Sequence, residues 1–213
     1  GMGQIIHFHL AMHAPDQLRQ RMAHALTQVY VMSYTGMDDL KSKSIVDSSG
    51  KTVEFVKLVL EKKAAVGYSN TNDAELAAFI SYAQAYPRGF LALVDTYDTI
   101  HSGVPNYLAV AWALHECGYK SLGIRLDSGD LAYLSKKARG MFLDADKKAG
   151  ESIFGKDSIV ASNDLNEEVI LSLNRQGHEI NSFGVGTNLV TCLNQPALGC
   201  VYKLVEIKGK PRI

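Results

Sequence analysis

The chain has 213 residues, of which 46% are hydrophobic and 21% are charged, a balance typical of a globular protein with a sizeable core. Its 22 basic and 22 acidic residues give a formal net charge of zero without any basic cluster, which excludes a general polyanion or nucleic-acid binder. No apolar run approaches the roughly 20 residues of a membrane span, and no secretory signal pattern is present at the N-terminus.

The three cysteines form neither a CxxC pair nor an even-numbered disulfide framework. Cys117, Cys192 and Cys200 are therefore predicted to be free thiols in a reducing compartment, which indicates the cytosol. Residues 1–20 differ from the rest and contain His7, His9 and His13, but no fourth ligand in a metal-binding pattern. We expect an atypical terminal segment over 1–20, disordered or tag-derived, followed by one domain over 21–213.

From residue 53 onward, predicted helices and strands alternate along the chain. Apolar spacing, caps and stop signals predict helices over 53–65, 73–86, 105–117, 131–148 and 165–176. Short apolar runs predict strands over 90–94, 121–126, 158–161 and 181–185. Asp164, three residues before Glu167, predicts a capping box for the last helix. Residues 199–213 are predicted to form a hairpin that turns at Lys208-Gly209.

This alternation predicts a parallel sheet, because parallel neighbours need long crossover connections of the kind that the helices supply. The strands are apolar throughout, which is typical of strands that are covered on both faces. A closed barrel and an open doubly wound sheet both agree with this pattern.

Polar residues follow each of the four predicted strands. They are Asp95 to Asp98, Arg125 to Asp130, Ser162 to Asp164 and Gly184 to Asn188. The carboxyl ends of parallel strands lie at one edge of the sheet, where ligands bind in α/β proteins. The sequence therefore predicts one shared site at this edge.

Several of these residues also have structural interpretations. Capping explains Asp164 completely, and Ser128 and Asp130 either cap the next helix or contact a ligand. Arg125 lies in an otherwise apolar strand, where a buried guanidinium needs a carboxylate or a phosphate. It either binds a ligand or forms a structural pair with Asp95 or Asp127.

The turn after the last predicted strand is a candidate phosphate-binding loop. Gly184, Gly186 and Thr187 would bring backbone amides and a hydroxyl to an anion. Leu189 occupies the third glycine position of a GxGxxG motif, so a dinucleotide-binding fold is not supported.

The stretch VDTYDTIHSGVPNYLAVAWALHECGYKSLGIRLDSGDLAYLSKKAR closely resembles the nicotinate phosphoribosyltransferase family. The family's hallmarks here are the DTY segment, the SGxPN helix start and the GxRLDSGDL strand end. The later segments SNDLNEE, GVGTNLVTC, QPALGCVYKLV and KGKPR match the family in the same order. The resemblance covers residues 21–213. Nicotinamide and quinolinate phosphoribosyltransferases fit these motifs less well.

The resemblance implies a partial, irregular TIM-like β/α barrel of the type II phosphoribosyltransferase kind. It implies synthesis of nicotinate mononucleotide from nicotinate and phosphoribosyl pyrophosphate, with ATP as co-substrate, Mg²⁺ held mainly by pyrophosphate, and a homodimer. His24 matches the phosphohistidine, Arg125 the residue that holds the nicotinate carboxylate, Thr187 a phosphate-binding residue and Asp95 an acid of the site. The implied catalytic residues are His24, Asp95 and Arg125, and the implied substrate-binding residues are Arg125, Asp127, Ser128, Gly129, Asp130, Asn163, Gly184, Gly186 and Thr187.

Three departures from the family pattern favour an alternative. Arg21 stands where the family has threonine, four additional residues (26–29) follow the His24 segment, and sequence found in the family is missing at both ends. The alternative function is an inactive, truncated fragment that retains only residual ligand binding or an assembly role.

Overall fold

The structure is a computed structural model that describes residues 43–190, 206–207 and 210–211. Along these residues the elements are β1 (Ile45–Val46), β2 (Thr52–Val53), α1 (Phe55–Val66), α2 (Asp73–Ala85), β3 (Leu91–Leu93), a π-helix (Thr99–Gly103), α3 (Val104–Glu116), β4 (Gly123–Leu126), α4 (Leu131–Ala149), β5 (Ser158–Ala161), α5 (Glu167–Gln176), β6 (Ser182–Phe183), α6 (Thr187–Val190), β7 (Glu206–Ile207) and β8 (Lys210–Pro211). Residues 43–190 lie in one compact unit, and the β7–β8 pair belongs to a second unit.

A four-stranded parallel sheet in the order β3-β4-β5-β6 organises the first unit. Each strand lies inside one of the four predicted strand segments, so the predicted parallel α/β architecture is confirmed. One row of residues runs across the sheet in register, from Leu93 through Arg125 and Val160 to Ser182. All four strands point the same way, so their carboxyl ends meet at one edge.

The five predicted helices are all present, with ends within two residues of the expected positions. Local signals fix these ends. Asn72 accepts a hydrogen bond from the Glu75 backbone N–H at 3.0 Å and so caps the start of α2. Gly67 ends α1 in the left-handed conformation at φ 88°, and its N–H donates to the Lys63 carbonyl.

Helix α3 is the centre of the core. Every residue from Val104 to Leu114 is buried, and the helix packs against α1 and α2. The ring of Tyr107 stacks on Phe90 with centroids 5.5 Å apart. At the amino end of β5 the hydroxyls of Tyr107 and Ser121 donate to the buried Asp157 carboxylate, and burial raises the pKa of Asp157. Among the described helices, none has the length and apolar composition needed to cross a membrane.

The predicted cover on both faces of the sheet is wrong for the described part of the chain. Ala92, Ile124 and Ile159 are buried on one face, whereas Leu93 on the other face is 38% exposed. The Arg125 side chain on that second face is 46% exposed, although the sequence suggested a buried guanidinium. Burial therefore alternates along the strands, and within residues 43–190 the open face carries Arg125.

The described residues also contain two short antiparallel strand pairs. The β1–β2 pair escaped the sequence prediction, because strands of two residues are too short to produce an alternating pattern. Its turn is held by the Asp47 carboxylate, which accepts from the backbone N–H groups of Ser49 and Lys51 at 2.8 and 2.9 Å. The β7–β8 pair is also antiparallel and lies within the predicted C-terminal hairpin, whose turn at 208–209 is outside the described residues.

Replacing Gly140 by alanine is expected to stabilise the protein by about 0.5–1 kcal/mol, because glycine in a helix interior costs backbone entropy. Gly140 lies in the middle of α4, and a Cβ built there has no heavy atom within 4 Å. The free energy of unfolding of Gly140→Ala in urea measures this gain. A destabilised variant would show that the exposed side of α4 is covered.

Candidate functional site

The carboxyl edge of the parallel sheet collects the polar residues that follow the strands. Asp95 follows β3, Asp127 follows β4, Ser162 follows β5 and Gly184 follows β6. Side-chain hydrogen bonds join the segments after β3, β4 and β5, and a backbone hydrogen bond joins Gly184 to the end of β5. The predicted convergence of strand ends is therefore present in the structure, although the roles of the individual residues in binding remain predictions.

Asp95 ties the end of β3 to the loop that follows β4. Its Oδ2 accepts a hydrogen bond from the Asp127 backbone N–H at 3.0 Å and a second one from the Ser128 hydroxyl. Its Oδ1 is buried and has no hydrogen-bond partner among the described residues. Because an ionised carboxylate has acceptor sites on both oxygens, Asp95 retains capacity for one more donor.

Arg125, Ser162 and Asp127 form a second connected group. The Arg125 Nε donates to Ser162 Oγ at 2.8 Å, and Ser162 Oγ in turn donates to Asp127 Oδ1. The Arg125 Nη2 lies 3.4 Å from Asp127 Oδ2. Of the two structural pairs that the sequence left open, the structure contains Arg125–Asp127. Ser162 was among the polar residues predicted to follow the strand, but no individual role was predicted for it.

The loop after β4 leads directly into α4. Gly129 adopts φ 72°, a left-handed conformation that glycine accepts without steric cost. Asp130 caps α4 by accepting from the Tyr133 backbone N–H at 2.9 Å, so the capping interpretation is confirmed for Asp130. Ser128 does not share that role, because its hydroxyl binds Asp95.

The loop after β5 differs from the prediction at the helix start. The predicted cap at Asp164 is wrong: Asn166 caps α5, its side chain accepting from the Val169 backbone N–H at 2.9 Å. Asn163 and Asp164 instead have φ values of 99° and 47°, in the region where asparagine and aspartate are enriched among non-glycine residues. These two residues bend the chain after Ser162, and the helix begins at Glu167, two residues later than predicted.

The turn after β6 is exposed. The Gly184 N–H donates to the Ala161 carbonyl at 2.7 Å and so continues the β5–β6 pairing. A Cβ at Gly186 would have no heavy atom within 4 Å, and the Gly186 carbonyl accepts from the Leu189 N–H in the first turn of α6. Thr187 begins this short helix and is exposed.

A buried polar cluster lies behind the end of β3 and consists of Asn72, Glu75, Ser102 and Asn106. Glu75 is only 4% exposed, and its Oε2 accepts from Ser102 Oγ at 2.6 Å and from Asn106 Nδ2 at 2.9 Å. Ser102 also accepts from the Asn72 backbone N–H at 2.9 Å. The SGxPN motif was recognised as a family hallmark, but its structural role in this cluster was not predicted.

Asp98 and Gly103 hold the π-helix between β3 and α3. The Asp98 carboxylate accepts hydrogen bonds from the backbone N–H groups of Ile100 and His101. The bond from the His101 N–H, a further one with the His101 ring and the bond from the Ile100 N–H lower the pKa of Asp98. At Gly103, a Cβ would lie 1.8 Å from the Val94 carbonyl oxygen. Only glycine allows the chain to pass this close to the strand end.

Replacing Glu75 by glutamine is expected to change how stability depends on pH. Burial, together with the negative charges of Asp98 and Asp95, raises the Glu75 pKa above its ordinary value of 4.5. The folded state therefore binds the proton more tightly than the unfolded state. This contribution is fully present below pH 4.5 and is lost as the pH rises through the folded pKa.

The measurement is urea unfolding of Glu75→Gln and of the unsubstituted chain between pH 4.5 and pH 8. The variant should gain stability relative to the unsubstituted chain as the pH rises, because glutamine has no proton to lose. Glu61→Gln, at an exposed position on α1, is the matched control. Parallel pH curves for Glu75→Gln and the unsubstituted chain would contradict a raised pKa.

Two predicted features, the phosphohistidine and the atypical N-terminal segment, fall on residues that the structure does not describe. His24 is outside the described residues, as are residues 1–20. Within the part of the chain that the structure describes, no group of three or more histidine, cysteine, aspartate or glutamate side chains could hold a metal ion.

Comparison with known proteins gives a consistent result. The model of the nicotinate phosphoribosyltransferase (NAPRTase) family matches residues 115–212. A nicotinate phosphoribosyltransferase of Dictyostelium discoideum is 55% identical over 184 residues, covering 86% of this chain and 31% of that protein. Nicotinate phosphoribosyltransferase 2 of Arabidopsis thaliana is 52% identical over 206 residues, covering 92% of this chain and 36% of that protein.

A solved structure agrees with the sequence matches. The crystal structure of human nicotinic acid phosphoribosyltransferase superposes with a TM-score of 0.63 at 33% identity, over 88% of this chain and 36% of that chain. The chain thus spans about a third of the length of the curated relatives that it matches.

Proposed function

Because this chain belongs to the nicotinate phosphoribosyltransferase family, we propose that it carries part of a site that makes nicotinate mononucleotide. The substrates would be nicotinate and phosphoribosyl pyrophosphate, with ATP hydrolysis coupled to the reaction, as a salvage step of NAD synthesis. The observation that carries the proposal is the arrangement of Arg125, Ser162 and Asp127 at the carboxyl edge of the parallel sheet.

The open sheet face supports a role as part of a barrel wall. Leu93, Arg125 and Ser182 lie in one row across this face, and all three are exposed in the described residues. In a β/α barrel, one face of the sheet lines the interior and the active site lies at the carboxyl ends of the strands. We propose that β3 to β6 are a segment of an irregular type II phosphoribosyltransferase barrel, with Arg125 directed to its interior.

Arg125 is the residue proposed to orient nicotinate. Its guanidinium lies next to the end of β4 and keeps donors available to solvent, since its side chain is 46% exposed. A planar guanidinium binds a carboxylate through two parallel hydrogen bonds, which fixes both the position and the direction of the pyridine ring. Nicotinamide lacks the charged carboxylate and would lose this interaction.

The pyrophosphate and ribose would lie along the remaining strand ends. Gly184, Gly186 and Thr187 are proposed to bind the 5′-phosphate through backbone amides and a hydroxyl. Mg²⁺, when bound, would neutralise the pyrophosphate and be held mainly by its oxygens, with Asp127 as the carboxylate available for a water-mediated contact. The Asp127 side chain is 39% exposed, which agrees with that role.

The other implied residues receive roles according to their contacts. Asp95 is proposed as an acid of the site that acts by holding the loop after β4 through the Asp127 N–H and the Ser128 hydroxyl. Gly129 and Asp130 shape the start of α4, and Asn163 follows Ser162 at the site edge. His24 is proposed as the residue that ATP phosphorylates, and a homodimer as the assembly. The free Cys117 agrees with a cytosolic location.

In the proposed reaction, the nicotinate ring nitrogen donates its electron pair to the anomeric carbon of the ribose. A C–N bond forms while the bond between that carbon and the pyrophosphate oxygen breaks, and pyrophosphate leaves with the bonding electrons. The contribution of the protein is to hold the ring nitrogen, the anomeric carbon and the leaving oxygen in line. Arg125 would hold the nicotinate carboxylate, and the Gly184–Thr187 turn would hold the 5′-phosphate of the ribose.

The test is conversion of labelled nicotinate by this chain in the presence of phosphoribosyl pyrophosphate, ATP and Mg²⁺. We expect nicotinate mononucleotide and pyrophosphate in equal amounts, with labelled nicotinamide as the matched control that gives none. Equal conversion of the acid and the amide would contradict the assignment of Arg125. No product above the protein-free rate would favour the inactive alternative for this chain.

A further inference from the structure

The Arg125 guanidinium has one edge already occupied. Its Nε donates to Ser162 Oγ at 2.8 Å, and its Nη2 lies 3.4 Å from Asp127 Oδ2. Nε and Nη2 form the lateral edge of a guanidinium, one of two edges that can bind a carboxylate bidentately. Ser162 and Asp127 together therefore bind the lateral edge in the way that a ligand carboxylate could.

The direction of each hydrogen bond in this group is fixed. An arginine Nε can only donate, so the Ser162 oxygen is the acceptor of that bond. The Ser162 hydroxyl proton is then directed to Asp127 Oδ1, which accepts it. Ser162 is only 8% exposed, and its backbone N–H donates to the Leu126 carbonyl at 2.9 Å. A buried hydroxyl held in this way has one orientation available.

The opposite edge of the same guanidinium is left for another partner. Among the described residues, Arg125 Nη1 has no hydrogen-bond partner within the usual limits. The terminal edge formed by Nη1 and Nη2 carries two parallel N–H groups with the spacing of carboxylate oxygens. With the lateral edge bound internally, the terminal edge is the one that a ligand can approach.

We propose that Ser162 is a positioning residue that fixes the Arg125 guanidinium, so that its terminal edge selects a carboxylate over an amide. The inference rests on the proposed binding of nicotinate by Arg125 and adds the residue that sets the direction of that binding. Without the Ser162 oxygen, the guanidinium is free to rotate and pair its terminal edge with Asp127, which would leave fewer donors directed to the ligand.

The experiment compares Ser162→Ala with Ser162→Thr, which keeps the hydroxyl, and with Ser152→Ala, a matched serine substitution in the segment that precedes β5. Two quantities are measured on the full chain. The first is the side-chain Nε–H signal of Arg125 in ¹⁵N NMR spectra without ligand. The second is the ratio of nicotinamide to nicotinate dissociation constants.

We expect Ser162→Ala to accelerate solvent exchange of the Arg125 Nε–H and to lower the dissociation-constant ratio by about tenfold or more, the usual size for a lost hydrogen bond to a charged group. Ser162→Thr should restore both readouts, and Ser152→Ala should leave both unchanged. If neither the Nε–H signal nor the ratio changes in Ser162→Ala, the role of Ser162 is overturned, while the proposed binding of nicotinate by Arg125 is not affected. An unsubstituted chain that binds acid and amide equally would instead overturn the proposed function.

Discussion

Replacing Gly103 by alanine is expected to destabilise the protein by about 3 kcal/mol or more. A Cβ at this position would lie 1.8 Å from the carbonyl oxygen and 2.6 Å from the carbonyl carbon of Val94, and both are backbone atoms that no rotamer change can move. Relief requires the π-helix to separate from the end of β3, and overpacking of this kind is costly even for flexible neighbours. Urea unfolding of Gly103→Ala measures the loss.

Gly89→Ala is the matched control for this prediction. A Cβ at Gly89 would have its nearest neighbour, Tyr86 Cβ, at 3.7 Å, which is an ordinary van der Waals contact. We expect that variant to differ from the unsubstituted chain by much less than Gly103→Ala. If Gly103→Ala unfolded at the same urea concentration as the unsubstituted chain, the close approach of the π-helix to the strand end would be refuted.

Replacing Arg125 by lysine is expected to weaken nicotinate binding by about tenfold to a hundredfold, although the positive charge is kept. A lysine ammonium is a point charge and cannot form two parallel hydrogen bonds with a carboxylate. The substitution also removes the hydrogen bond to Ser162, because that bond uses the arginine Nε. Isothermal titration with nicotinate measures the change in dissociation constant.

Arg139→Lys provides the corresponding control. The Arg139 guanidinium donates to the carbonyls of Gly155 and Asp157 and to the Asn181 side chain, close to the amino end of β5. Its replacement should lower the free energy of unfolding and leave nicotinate affinity unchanged. Equal affinity of the unsubstituted chain and Arg125→Lys for nicotinate would remove Arg125 from the site.

The helices and the parallel sheet were predictable because their signals are local. A buried helix such as α3 is marked by Pro105 near its start and Gly118 after its end, and β5 was predicted at its observed bounds. The start of α5 was not predicted correctly, because Asp164 and Asn166 are both good capping residues. The positive φ values of Asn163 and Asp164 decide between them, and no local sequence signal shows those values. The π-helix depends on the contact between Gly103 and Val94, which no local pattern shows.

The site shows the same division. The sequence placed Asp95, Arg125 and Asp127 at neighbouring strand ends, and the structure has them there. The sequence did not indicate that Ser162 lies between Arg125 and Asp127. That contact depends on the register between β4 and β5, which the sequence does not show. The sequence also suggested a buried Arg125, since apolar neighbours along a strand do not reveal which face is covered.

The central claim is that the carboxyl edge of the sheet binds the pyridine carboxylate, and ¹⁵N–¹H NMR titration of the chain with nicotinate tests it most directly. We predict saturable shifts of the backbone amides of Asp127 and Ser162, which contact Arg125, and no such shifts with nicotinamide at the same concentration. Shifts confined to Lys120 and Lys156, which line a groove of about 380 Å³ beside Ser121, would contradict the claim.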